Sequence, residues 1–123
     1  MKKSKNNDKQ LLEKKAKIYN TPFNLYFRRL DKIDKDIKDS KEFGSILILG
    51  LVEELGEMAR AYLAEHGRKT TNIAAQKDET YEQELGDILA AIIRFARIKN
   101  INLHERIMYT LDKIEKRKKE PKT

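Results

Sequence analysis

Residues 51–62 read LVEELGEMARAY, and residues 81–93 read YEQELGDILAAII. In both segments apolar residues recur at helical spacing, which predicts two amphipathic helices whose inner stripe faces a core. Each segment also carries two carboxylates three residues apart flanking Leu-Gly: Glu54 and Glu57 in the first, Glu84 and Asp87 in the second. Gly50, Leu51 and Met58 lie about a turn from Glu54, and Tyr81, Ile88, Ala90 and Ala91 surround Glu84 and Asp87. These acids therefore fall on or beside the stripe assigned to the interior.

An unpaired carboxylate in such a stripe is costly to bury, and like charges one turn apart repel. Arg60 and Arg94 are the nearest basic residues and do not form a matching set, so a divalent cation is the more economical counter-charge. Oxygen-only donors, with no cysteine and no histidine nearby, point to a hard ion, Mg²⁺ or Mn²⁺. A mid-helix glycine costs about 1 kcal/mol relative to alanine. At Gly56 and Gly86 the missing side chain is expected to let two helices approach until both acid pairs reach one ion. The plainer reading, glycines for packing and acids at the stripe edge, stays open on the residues alone. Pairs with the same spacing at Asp31/Asp34, Asp36/Asp39, Glu79/Glu82 and Asp112/Glu115 read as solvated faces.

Outward from these segments the chain reads as helix throughout. It has two prolines, five glycines and no convincing alternating stretch. A first helix is predicted over 8–19, with Leu11, Leu12, Ala16 and Ile18 or Tyr19 inward. Thr21-Pro22 starts a second, as cap and first helical residue, running to about Lys38 with Phe23, Tyr26, Leu30, Ile33 and Ile37 on its face. The third begins at Asp39 or Ser40, with Asp39 and Glu42 as a capping box, and ends at His66 before Gly67. Residues 67–78 form a polar loop, the fourth helix covers 79–99, and a turn at 99–101 leads to a last helix opened by Asn102 with Glu105. The expected fold is all-α, a bundle of four to five helices completed by oligomerisation. Residues 1–19 are a basic N-terminal segment, 20–119 the domain, and 120–123 a tail.

The chain has 123 residues, no cysteine and a formal charge of +7. The absence of cysteine excludes disulfides, thiolate metal sites and a cysteine nucleophile. The positive charge sits at the ends, +5 over 1–19 and +4 over 113–123, leaving −2 for the remainder. Basic ends of this kind read as solvated tails, so nucleic acid is not the expected partner. No apolar run is long enough to span a bilayer, and the basic start is not followed by an apolar signal region, so a soluble, cytoplasmic protein is expected. His66 and His104 read as surface or capping residues, and Phe23, Tyr26 and Phe43 as core.

The pattern Glu53-Glu54-Leu55-Gly56-Glu57, 26 intervening residues, then Glu84-Leu85-Gly86-Asp87 resembles the MazG-like nucleotide pyrophosphohydrolases. These belong to the all-α NTP pyrophosphatase group that includes dimeric dUTPases. INLHERIMYTLDKIEKR also looks like the family's closing turn and basic helix, so the resemblance covers about residues 41–119. It implies Mg²⁺-dependent hydrolysis of a nucleoside triphosphate to a monophosphate and pyrophosphate. Glu54, Glu57, Glu84 and Asp87 would then hold metal, and Glu53 would be a further ligand or the base that orients water, with Glu53 and Glu54 as the catalytic pair. It also implies a homodimer or homotetramer with sites shared between chains.

Three positions depart from the family pattern. Ala91 stands where many members have Tyr, and Thr110 and Ile114 stand where Lys and Asn contact phosphate. Arg94, Lys113 and Arg117 are the replacement phosphate contacts expected here. The alternative reading is a non-catalytic helical module that binds nucleotide, nucleic acid or protein.

Overall fold

The computed structural model describes residues 2–66 and 80–120, with side chains from residue 7 onward. Among these residues the chain is all-α: α1 (Lys2–Tyr19), α2 (Asn24–Ile33), α3 (Lys41–Glu65), α4 (Tyr81–Ile98) and α5 (Leu103–Lys119), with no strand. The expected loop at 67–78 and the stop at Gly67 lie outside the described residues. No described helix is long and apolar enough to cross a membrane.

The chain divides into two compact units, residues 1–37 with 96–123, and residues 38–95. In the first, Ile18 and Phe27 are fully enclosed and Ala96 is buried with them. Tyr19 meets the Phe27 ring edge-on at 5.7 Å. Asp31 binds this unit together: its Oδ1 accepts from Arg97 Nε at 2.8 Å and from the Tyr19 hydroxyl at 2.5 Å. Burial raises the Asp31 pKa, but the Tyr19 hydrogen bond and the Arg97 hydrogen bond and charge, aided by Lys15, outweigh it and leave the carboxyl below its ordinary 3.8. Burial, with the Asp31 hydrogen bond and charge, pushes the Tyr19 phenol up to about 12.

Several local expectations change here. α1 begins earlier than residue 8, and among its described side chains Ile18 is the buried one, Leu11 and Leu12 being exposed. α2 starts at Asn24 and stops at Ile33, a shorter helix than 22–38. The Thr21 hydroxyl donates back to Ile18 O at 2.8 Å, which closes a turn after α1 and delays the next helix by two residues. The inward stripe passes through Phe27 and Asp34, one residue or about 100° of helix from the expected Tyr26 and Ile33, which are exposed. Asp31 and Asp34 are thus not a solvated face: Asp34 is 3% exposed.

α4 ends in a double hydrogen-bonded turn, Ile101 N–H to Ala96 O at 2.8 Å and Asn100 N–H to Arg97 O at 3.2 Å. Asn100 takes the left-handed conformation this requires, with φ 54°. Asn102 then opens α5, its side chain accepting from Glu105 N–H at 3.1 Å, as its spacing predicts.

In the second unit, Ser40 rather than Asp39 caps α3, accepting from Phe43 N–H at 3.0 Å. Buried Gly44, Leu47, Ala61 and Ala64 mark one stripe of α3, and buried Glu84, Ile88 and Ile93 mark one of α4. Contacts run in opposite senses along the two helices, Phe43 with Arg94 at one end and Tyr62 with Tyr81 at the other. α3 and α4 are therefore antiparallel neighbours, with the repeated acids between those ends.

Candidate metal centre

The antiparallel pairing decides which acids meet. Glu54 lies midway along the α3 stripe and is half-buried, and Glu84 lies one turn into α4 at 3% exposure. One carboxylate oxygen each from Glu54, Glu84 and Asp87 lies within 4.8 Å of the others. Glu54 Oε2 is buried and has no hydrogen-bond partner. Such an atom loses its water without replacement, a cost of roughly 1–3 kcal/mol or more for a charged group. Three convergent carboxylates, one with an orphaned oxygen, are a donor set suited to a hard cation.

The start of α4 contributes in two further ways. Thr80 Oγ1 accepts from Gln83 N–H at 3.2 Å, which fixes the helix origin so that Glu84 and Asp87 are carried by an ordered first two turns. Gln83 Nε2 donates to Asp87 Oδ1 at 3.1 Å and orients that carboxylate. Sequence reasoning missed Gln83, although its i,i+4 spacing to Asp87 is the signal that finds it. Gln83→Ala is expected to leave the fold intact and weaken metal affinity or turnover by about 10-fold, the low end for a group that orients a ligand from outside the coordination sphere. Titration of the metal into the variant and the parent protein checks this.

Other predicted residues fall differently. Glu57 is half-buried, one turn along α3 from Glu54, and is not part of the three-carboxylate cluster. Glu53 is exposed. Arg94 is half-buried with its guanidinium 5.6 Å from the Phe43 ring centre. Lys113 lies 5.4 Å from the Tyr109 ring, and Arg117 is exposed on the same helix. His66 caps α3 through its N–H to Tyr62 O at 3.0 Å and packs its imidazole on Tyr62, as a capping histidine should.

The glycines are a correction. Gly56 and Gly86 are exposed, and a Cβ on either meets nothing within 4 Å among the described residues, so neither serves close approach of α3 to α4. Helix phase explains this: two residues beyond Glu54 and Glu84 the side-chain direction has turned about 200°, away from the acid stripe.

The description of the MazG nucleotide pyrophosphohydrolase domain matches residues 44–121, which takes in every acid of the cluster. The chain belongs to the MazG family. The chain is also 33% identical over 91 residues to the uncharacterized protein YpjD of Bacillus subtilis (strain 168), covering 69% of this chain and 81% of that protein. No solved structure gives a significant match. Membership places the acid cluster in a family of nucleotide pyrophosphohydrolases.

Proposed function

We propose that this MazG domain hydrolyses a nucleoside triphosphate between its α and β phosphates, releasing a monophosphate and pyrophosphate, with Mg²⁺ (Mn²⁺ in its place) at the acid cluster. The observation that carries the reading is the buried, partnerless Glu54 Oε2 inside a cluster of three carboxylates. A polyphosphate does not approach such a cluster unless positive charge intervenes. When bound, the cation supplies that charge and stabilises negative oxygens during displacement.

The chain's own groups divide the remaining work. Glu54, Glu84 and Asp87 hold the cation, with Glu57 as the fourth ligand. Exposed Glu53 orients the attacking water and takes its proton, acting with Glu54 as the catalytic pair. Arg94, Lys113 and Arg117 are the proposed phosphate contacts. Thr110 does not replace the missing lysine, since its hydroxyl donates to Arg106 O at 3.0 Å within α5.

Incubation with Mg²⁺ and a panel of ribo-, deoxyribo- and modified nucleoside triphosphates, followed by ion-exchange separation, tests the reaction. Monophosphate and pyrophosphate are the expected products. Diphosphate and phosphate would refute the cleavage position, and no product from a protein that still binds Mg²⁺ would favour a nucleotide-binding module without catalysis.

A homodimer or homotetramer, acting in the cytoplasm, is part of the same proposal. α3 exposes Ile46, Leu49, Val52 and Leu55, each more than half accessible, and α4 exposes Leu85 and Leu89. Open Gly56 and Gly86 on these helices leave room for a second copy. Leu49→Glu with Val52→Glu is expected to reduce the assembly to monomers by light scattering. An unchanged mass would remove this face as the interface.

A further inference from the structure

In the first unit, the last turns of α1, the turn after α4 and the first turn of α5 border an open cavity of about 380 Å³ whose Lys14, Lys17, Glu105 and Arg106 rim is exposed. Its lining is unlike that of the acid cluster. Lys14, Lys17 and Arg106 contribute three cations, while Glu105, the one carboxylate in the lining, already accepts from Arg106 Nη2 at 3.0 Å. Half-buried Ile101 and the edge of buried Ile18 complete the lining. The Asn102 Oδ1 is committed to capping α5.

We propose that this cavity is a second ligand site, one that takes a phosphate-bearing small molecule of nucleoside-diphosphate size without a divalent cation. The volume falls within the roughly 300–1,000 Å³ range of small-molecule sites. The Arg106 guanidinium lies 5.5 Å from the Tyr109 ring centre and keeps N–H donors beyond the one used on Glu105, and two lysines from a separate helix add positive charge that a polyphosphate neutralises directly. Half-buried Ile101 offers the apolar contact that a base or sugar face uses and a bare ion does not. The acid cluster has the opposite requirement, binding polyphosphate only through a cation, so chelation separates the two sites.

Calorimetric titration of the full chain with ADP in EDTA tests this, with pyrophosphate, inorganic phosphate and a single-stranded oligonucleotide as further probes. ADP is expected to bind, with pyrophosphate competing and phosphate weaker. Lys17→Glu combined with Arg106→Ala is expected to weaken ADP at least 10-fold, whereas Lys17→Arg and Glu54→Gln leave it unchanged. Lys17 and Arg106 are exposed, so circular dichroism of the double variant should match the parent. No ADP binding in EDTA, affinity indifferent to the double variant, or binding of the oligonucleotide but not ADP would each overturn the proposal.

Discussion

Glu54→Gln is expected to abolish turnover and, in the absence of metal, to raise the melting temperature. Loss of groups that merely orient a metal ligand costs roughly 10–100-fold, so loss of a ligand should exceed that range. The stability effect has the opposite sign. In the metal-free protein Glu54 Oε2 is buried without a partner beside two other carboxylates. Glutamine keeps the shape and removes a charge, which is worth about 1 kcal/mol or more, an upward shift of a few degrees in Tm. Mg²⁺ reverses the order: at a hundredfold excess over its Kd it stabilises the parent protein by about 2.7 kcal/mol and the variant far less. A residue with a purely structural role would lose stability in both conditions, so thermal scans with and without Mg²⁺ separate the two.

The second large effect lies at Asp31. Asp31→Ala leaves Arg97, whose side chain is only 13% exposed, without its carboxylate, and Tyr19 without its acceptor. Breaking a fully buried pair costs about 3–5 kcal/mol; Asp31 is 37% exposed, so about 2 kcal/mol is expected here. The pH dependence carries a signature. Because the folded Asp31 pKa is depressed, its contribution is present above the ordinary carboxylate pKa and is lost as pH falls through the lower folded value. Because the folded Tyr19 pKa is raised to about 12, its contribution is full below about 10 and is lost as pH rises toward 12. Asp31→Asn should flatten the acid limb and move the alkaline limb down. Urea unfolding from pH 2.5 to 11 measures both; an acid limb identical to the parent's would show that the Asp31 interaction does not form in solution.

Much of the second unit was legible because one helical period runs through it. Glu54 and Glu84 interrupt apolar stripes, and the structure buries those stripes. The Asn102/Glu105 cap was legible for the same local reason. Asp31 was not. Its partners lie 12 and 66 residues away, and spacing along one helix cannot reveal a bond made across three. The start of α2 was misread because Thr21-Pro22 has the form of a helix start, whereas the Thr21 hydroxyl donates to Ile18 O and accepts from Phe23 N–H, closing a turn before the helix. Gly56 and Gly86 were legible as unusual, but their role depends on what covers an outward face. The local sequence does not encode that.

The central claim is that Glu54, Glu84 and Asp87 form a divalent-cation site. Mn²⁺ titration of the full chain, followed by electron paramagnetic resonance of the free ion, tests it most directly. The parent protein is predicted to remove at least one Mn²⁺ per chain from solution, Mg²⁺ to compete, and Glu84→Gln to lose that binding while remaining helical. Equal Mn²⁺ uptake by the parent and by Glu84→Gln would contradict the account.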